Sequence, residues 1–177
     1  MILSTLGEYD KAIAFYEKAL ASDLKNFGEY HPSVARDWNN LGEAWSHKGD
    51  YDKAIEYYEK ALASFLNTFG KNHPSVATSW NNLGLAWLQK GEYDKAIALY
   101  DKALASVLNT FGENHPDVAT SWNNLGFAWS DKGDYDKAIE YLQKARAVFQ
   151  KAKLQHHVNS VDKALKNVLE ARDRQRG

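Results

Sequence analysis

HPSVATSWNNLGLAWLQKGEYDKAIALYDKALASVLNTFGEN, residues 73–114, is the stretch that decides the fold. The stretch that begins at His31 matches it at most positions, and the one that begins at His115 follows it closely as far as Lys144. Repetition at a period of about 20–50 residues is typical of stacked-repeat proteins, in which each unit packs only on its neighbours. We therefore predict a single domain over residues 1–177, made of a partial repeat (1–30), three full repeats (31–72, 73–114, 115–156) and a C-terminal capping helix with its tail (157–177).

Composition and charge indicate a folded protein without a charged surface for polyanions. Hydrophobic residues make up 44% of the chain and aromatic residues 13%, which argues against disorder. The formal net charge of −1 offers no electrostatic footprint for nucleic acid or an anionic membrane. Cysteine is absent, which excludes disulfides and thiolate metal sites. No apolar run reaches the roughly 18 residues of a transmembrane helix, and no signal peptide pattern follows Met1, so we expect a cytoplasmic protein.

Each full repeat predicts two helices. In the central copy Pro74 suits the first turn of a helix, Gly91 is the break after Lys90, and Gly112 stops a second helix that starts near Tyr93. The first helix carries an apolar stripe at helical spacing: Val76, Trp80, Leu83 and Trp87.

Two kinds of residue point to close helix packing. All six tryptophans occupy two repeat positions, which favours a role as packing wedges over a ligand cage. Gly84 recurs as Gly42 and Gly126 in the middle of the first helix, where glycine costs about 1 kcal/mol relative to alanine. The recurrence predicts that the two helices approach closely there, with alanines of the second helix facing the gap.

The two ends of the chain depart from the repeat. Gly7 is expected to separate the end of a first helix from a second-type helix over Tyr9–Phe27, which would leave Ile13, Tyr16 and Leu20 uncovered. After residue 157 an apolar stripe continues on one face, as in a terminal capping helix. The tail from Arg172 onward is expected to fray.

The repeat motif resembles that of a known family. Trp80, Leu83, Gly84, Trp87, Gly91, Tyr93, Ala96, Tyr100 and Ala103 have the spacing of the tetratricopeptide repeat. The unit is longer than the usual 34 residues, and leucine stands at positions 66 and 108 where the family places proline. In this it resembles the repeats of kinesin light chain and of tandem arrays in bacterial signalling proteins. The resemblance implies an all-α, right-handed superhelical solenoid of antiparallel helix pairs, with first helices lining a concave groove.

Asparagine pairs on the first helices are the sharpest candidates for a binding site. An amide offers donors and an acceptor, so it can pair with the main chain of an extended peptide. In similar tetratricopeptide proteins asparagines at these places grip peptide main chain. The alternative is that one amide of each pair satisfies a local backbone group or a neighbouring helix. The candidates are Asn39, Asn40, Asn81, Asn82, Asn123 and Asn124.

Side-chain specificity would come from variable positions on the same face. These are Arg36, Glu43 and His47 in the first full repeat, Thr78, Leu85 and Gln89 in the second, and Thr120, Phe127 and Asp131 in the third. The set lacks the paired lysines and arginines of tetratricopeptide domains that clamp a C-terminal carboxylate, so we reject that function.

Other polar motifs predict structural roles. His31, His73 and His115 recur one repeat apart, too far to share a metal ion, and we expect them to pair with an exposed helix end. Asp52, Asp94 and Asp136 are expected to be helix-start residues with solvated charge. No phosphate-binding loop, nucleophile elbow or catalytic dyad is present, so we expect no enzyme activity, no cofactor and no metal.

Two functions remain open. The preferred one is a non-enzymatic scaffold that binds a peptide segment or protein in the concave groove. The alternative is a structural spacer or an array that self-associates, by stacking or helix exchange, through its uncapped N-terminal end. Loss of binding on replacing the asparagines would favour the first, and concentration-dependent assembly would favour the second.

Overall fold

The computed structural model describes the main chain of residues 2–177 and the side chains from residue 7 onward. Within that part of the chain the regular secondary structure is helical throughout, which confirms the predicted all-α class. The helices in chain order are α1 (Ile2–Phe27), α2 (Pro32–Lys48), α3 (Tyr51–Phe69), α4 (Pro74–Gln89), α5 (Tyr93–Phe111), α6 (Pro116–Lys132), α7 (Tyr135–Lys151) and α8 (Gln155–Arg176).

The helices form two compact units, Met1–Gly91 with α1–α4 and Glu92–Gly177 with α5–α8. In the first unit α1 packs on α2, α2 on α3 and α3 on α4. In the second, α5 packs on α6, α6 on α7 and α7 on α8. Within each unit the helices thus pack mainly on their neighbours in sequence, as a stacked repeat requires. The single-domain assignment and the repeat boundaries stay predictions.

The junction histidines cap the first helices. His31, His73 and His115 stand directly before the prolines that open α2, α4 and α6. In each case the ring Nδ1 atom accepts a hydrogen bond from the main-chain N–H two residues on, at 3.2 Å. This satisfies one of the N–H groups that a helix start leaves unpaired. The expected role at a helix end is therefore confirmed.

Tryptophans pack the helices together, as predicted. Trp38 and Trp80 are buried, and the other four are half-buried. Trp45 packs on a cluster of Ile13, Leu41 and Ala44, which joins α1 to α2.

The mid-helix glycines are required by close contacts. A Cβ added to Gly42 would lie 2.6 Å from the ring of Tyr58 on α3, and one added to Gly126 would lie 2.7 Å from Leu142 on α7. The predicted close approach is present at both positions. The atoms nearest to the glycines, however, belong to the large side chains of Tyr58 and Leu142 instead of to alanines.

The N-terminal expectation is wrong in two respects. Helix α1 runs unbroken through Gly7, because glycine lowers helix stability without forcing a break. Ile13 is buried against α2, and Tyr16 and Leu20 pack on the same cluster, so these three side chains are covered. The side chains of residues 1–6, assigned from the sequence to the end of a first helix, lie outside the described residues.

The C-terminal helix packs on α7 within the second unit. Val158, Val161, Ala164 and Val168 of α8 are buried in the cluster that includes α7. The predicted fraying of the tail is wrong, because α8 continues to Arg176. Arg172 and Arg176 approach the carboxylate of Asp136 at 3.6 Å and 2.7 Å.

Aspartates near the start of the second helices form ion pairs with the next repeat. Asp52 and Asp94 have highly exposed side chains, as expected, but neither is simply solvated. The pairs are Asp10 with Lys48, Asp52 with Lys90 and Asp94 with Lys132, and the two arginines of α8 take the place of lysine at Asp136. Exposed pairs of this kind contribute only about 0–1 kcal/mol each, but they link successive helix pairs in a regular way.

Candidate functional site

A surface cleft of about 450 Å³ lies in the first unit, between the N-terminal halves of α2 and α4 and the C-terminal end of α3. Capped first turns supply two of its walls, because the residues that follow His31 and His73 line it. The lining consists of Pro32, Ser33, Arg36, Asn39, Phe65, Phe69, Pro74, Ser75, Thr78 and Ser79.

Three of the predicted groove residues meet in this cleft. Arg36, Asn39 and Thr78 all line it, and the side chains of Arg36 and Thr78 are exposed. Because Arg36 and Asn39 are three residues apart on α2, they lie on one face of that helix. Three polar lining residues therefore coincide with predicted positions, whereas Ser33, Ser75 and Ser79 were not predicted. That these residues bind a ligand stays a prediction.

The apolar part of the cleft was missed. Phe65 and Phe69 stand one turn apart on α3, with ring centroids 6.0 Å from each other, and Phe69 stacks on His73 at 4.1 Å. Both belong to a second helix, whereas the predicted groove residues all lie on first helices. Phe69 is 40% exposed, whereas Phe65 is 9% exposed, and the sequence pattern alone does not indicate this difference.

The remaining variable positions lie on the first helices but outside this cleft. On α2, Glu43 and His47 contact each other at 3.8 Å, and the His47 ring stacks on Tyr9 of α1 at 5.5 Å. The other members are exposed side chains of α4 and α6: Leu85, Gln89, Thr120, Phe127 and Asp131. Partial desolvation raises the pKa of Asp131, although its side chain stays exposed to solvent.

The asparagine pairs are half-buried in all three repeats. The Nδ2 atom of Asn82 on α4 donates a hydrogen bond of 3.0 Å to Oδ1 of Asn39 on α2. For Asn39 and Asn82 the structure thus has the alternative arrangement, in which the amide pairs with a neighbouring helix. In the second unit, Oδ1 of Asn123 is buried and has no hydrogen-bond donor among the described residues. One repeat later, α8 carries Leu165 and Lys166 where a full repeat would have its asparagine pair.

A buried carboxylate lies next to Arg36. The Asp37 side chain is 7% exposed, and burial raises its pKa. The carboxylate of Asp23 on α1 raises it further, and the guanidinium of Arg36 lowers it. Asp37 interacts electrostatically with both Asp23 and Arg36. The carboxylates therefore offset part of the positive potential of Arg36.

The described residues contain no cluster of three or more His, Cys, Asp or Glu side chains that would suit a metal ion. From residue 2 to the C-terminus, no helix combines the length and apolar character that crossing a bilayer requires.

The chain is similar to known repeat proteins over most of its length. The profile of the tetratricopeptide repeat matches the chain three times, over residues 1–67, 38–105 and 75–151. The chain belongs to the tetratricopeptide repeat family. Members of this family are scaffolds that commonly mediate protein–protein interaction. No curated protein gave a significant match.

Solved structures with this fold are similar over almost the whole chain. BtubC (BKLC) from P. vanneervenii is 26% identical with a TM-score of 0.76, and the match covers 97% of this chain and 73% of that one. A candidate kinesin light chain from Podosopora anserina with nearly identical TPR-like repeats is 24% identical with a TM-score of 0.75, covering 94% of this chain and 83% of that one. The resemblance to kinesin-light-chain-like repeats predicted from the lengthened unit is confirmed, and so is the repeat-solenoid fold.

Proposed function

We propose that the protein is a non-enzymatic scaffold that holds an extended segment of a partner protein on its first helices, with the cleft of the first unit as the main contact. The observation that carries the proposal is the meeting of Arg36, Asn39 and Thr78 in one cleft. Its volume of about 450 Å³ falls within the range of roughly 300–1,000 Å³ typical of ligand sites. A guanidinium, an amide and a hydroxyl beside phenyl rings suit a peptide that has both polar and apolar groups.

The two amides would have different roles. Because Oδ1 of Asn39 already accepts from Asn82, its Nδ2 is the group left to donate to a ligand carbonyl. Asn82 would act chiefly by holding Asn39 in place. Binding through Asn40, Asn81, Asn123 and Asn124 extends the same proposal along the first helices.

A selection from a displayed random peptide library tests the proposal. Peptides selected on the wild-type protein should lose at least about tenfold in affinity for Thr78→Arg, because the longer side chain fills the cleft. Thr120→Arg is the matched control, since Thr120 holds the equivalent repeat position but does not line this cleft. Equal binding to both variants and to the wild type would remove the cleft from the function.

Asparagine variants separate contact from support. Both Asn39→Ala and Asn82→Ala remove the hydrogen bond between the two amides, so both should lower the melting temperature slightly. Asn39→Ala should weaken peptide binding more, because it also removes the donor to the ligand. If the Asn39→Ala variant binds peptide as well as the wild type does, the Asn39 amide makes no contact with the ligand. Binding would then depend on the other residues that line the cleft.

A second candidate function is self-association through α1. Phe15 is 68% exposed, whereas its repeat equivalent Tyr57 is half-buried against the Ile13 cluster. An exposed phenyl ring at a position that is covered elsewhere in the chain favours stacking on another helix. Light scattering over a concentration series should then show assembly that Phe15→Glu abolishes and Phe127→Glu does not. A strict monomer at all concentrations would refute it.

A further inference from the structure

The junction histidines share one contact pattern. Each ring accepts a main-chain hydrogen bond at Nδ1, from Ser33, Ser75 and Asp117 respectively, at 3.2 Å. Each ring also stacks on the phenylalanine that ends the preceding helix, with centroid distances of 4.5, 4.1 and 4.3 Å. The contact thus joins the end of one repeat to the first turn of the next.

This contact requires a neutral imidazole. A ring nitrogen accepts a hydrogen bond only when it has no hydrogen, so the capping tautomer has its hydrogen on Nε2. A protonated ring has hydrogen on both nitrogens and cannot cap. Its positive charge would also face the positive end of the helix that it precedes. Histidine is the side chain that ordinarily changes charge between pH 5 and 8.

We propose that His31 and His73 form a pH-sensitive latch on the walls of the cleft. The turns that they cap contain Pro32 and Ser33 on one side and Pro74 and Ser75 on the other, and all four line it. Protonation releases the N–H groups of Ser33 and Ser75 and loosens both walls. The regulatory meaning of the latch rests on the proposed peptide-binding function, but its chemistry does not.

The charged groups near the three rings differ, which provides an internal comparison. The carboxylate of Asp117 lies 3.7 Å from Nδ1 of His115, so a protonated His115 gains an ion pair as it loses its cap. His31 is followed on α2 by Arg36 and Asp37, with Asp23 of α1 near the latter.

The first junction is also held independently of its histidine. The hydroxyls of Ser64 and Thr68 on α3 donate to the carbonyls of Glu29 and Tyr30, at 3.3 and 2.9 Å. Among the described residues the histidine ion pairs are those of His47 and His115, so no carboxylate lies within ion-pair distance of His73. Lys71 is the charged residue of its own turn. His73 is therefore the member of the set on which protonation should have the clearest effect.

The sign of the effect follows from proton counting. The native state needs neutral rings at the caps, whereas the unfolded chain binds protons at those rings freely. Wherever the unfolded chain binds more protons at these rings than the capped native state does, stability increases with pH. The latch is closed at neutral pH and opens as the pH falls.

Nuclear magnetic resonance of the full chain, without ligand, tests the latch. Long-range nitrogen–proton correlations should show Nδ1 of His73 without hydrogen at pH 7.5. The protection factor of the Ser75 amide should fall about fivefold between pH 7.5 and 5.5, the ratio expected for loss of a typical N-cap. The amide of Asp117 should lose less, because Asp117 compensates for the charge of His115.

His73→Asn is the matched variant. Asparagine places an acceptor oxygen at the same number of bonds from the main chain as Nδ1 but does not titrate. Protection at Ser75 should then become independent of pH, while that of Ser33 keeps the wild-type response. A hydrogen on Nδ1 of His73 at pH 7.5, or equal Ser75 protection at both pH values in the wild type, would overturn the proposal.

The tests of the latch and of peptide binding can fail independently of each other. Failure of the latch in these ligand-free measurements leaves the effect of Thr78→Arg on peptide binding unchanged, and failure to bind peptide leaves the Ser75 measurement unchanged. If both hold, a selected peptide should bind the wild type more weakly at pH 5.5 than at pH 7.5, and His73→Asn should reduce that difference.

Discussion

Replacing Asp37 with serine should stabilise the protein, because Asp37 puts a buried carboxylate where the other two full repeats have serine. The Asp37 side chain is 7% exposed, and its Oδ2 atom has no hydrogen-bond donor among the described residues. The equivalent Ser79 and Ser121 donate their hydroxyls to the carbonyls of Ser75 and Asp117, four residues earlier, at 3.0 and 3.2 Å. Serine at position 37 can make the same local bond.

The size of the effect follows from the cost of the unpaired group. A buried polar atom without a partner costs about 1–3 kcal/mol, and more when it is charged. We expect Asp37→Ser to raise the free energy of unfolding by about 1–2 kcal/mol. In a chain of this size 1 kcal/mol corresponds to about 2–4 °C, so the melting temperature should rise by roughly 2–8 °C.

The pH dependence of the effect has a defined sign. Burial and the Asp23 carboxylate raise the pKa of Asp37 above its usual range. A carboxyl with a raised native pKa destabilises the fold only when it is ionised, so its cost develops as pH rises through the interval between the unfolded and native values. The advantage of Asp37→Ser should therefore be full at pH 7 and should shrink as the pH falls through that interval.

Urea unfolding followed by far-ultraviolet circular dichroism at pH 7 and at pH 4 measures both quantities. Asp37→Asn separates removal of charge from the new hydroxyl bond, and Ser79→Asp is the reverse substitution at the matched position, which should destabilise. A neutral or destabilising Asp37→Ser at pH 7 would show that the carboxylate is satisfied in solution and would refute the reasoning.

Two further substitutions test the packing and the end of the chain. Gly42→Ala should destabilise the protein by about 1–3 kcal/mol, because the new methyl group would lie 2.6 Å from the Tyr58 ring. Gly7→Ala in α1 has nothing within 4 Å and should stabilise the protein by up to about 1 kcal/mol. Urea midpoints compare the two variants, and equal effects would contradict the contact at Gly42. Asp136→Asn should release Arg172 and lower the amide protection of the last turns of α8. The urea midpoint should stay nearly unchanged, since these ion pairs are exposed. Unchanged protection would mean that the ion pairs do not hold the helix end.

The helices could be predicted from the sequence because their signals are local and repeated. Pro74, Gly91 and Gly112 mark helix ends through properties of single residues, and the structure begins and ends helices at those places. The break at Gly7 failed for the same reason, since glycine inside a helix is a cost and not a stop. Where residues on both sides favour a helix, as in α1, the helix continues.

Contacts between repeats were harder to predict. Asp52 and Lys90 are both visible in the sequence, but their pairing depends on how α3 lies beside α4, which the period of one helix does not contain. Arg172 and Arg176 were assigned to a frayed tail because their partner, Asp136, lies more than thirty residues away in the chain. The hydrogen bond between Asn82 and Asn39 belongs to the same class.

Comparison of equivalent repeat positions explains why the cleft residues could be found. Positions that carry the same residue in every copy, such as the tryptophans, are accounted for by packing. Position 36 is arginine, whereas the equivalent residues of the other full repeats are Thr78 and Thr120. Because the Arg36 side chain is exposed, helix packing does not explain this difference. Position 37 differs as well, but there the aspartate is buried and one carboxylate oxygen has no hydrogen-bond donor among the described residues. An exposed departure from the repeat indicates recognition, and a buried one indicates a stability cost. Measuring Arg36→Thr and Asp37→Ser side by side separates the two effects: the first should act mainly on peptide binding and the second mainly on stability, with a smaller cross-effect from the interaction between the two side chains.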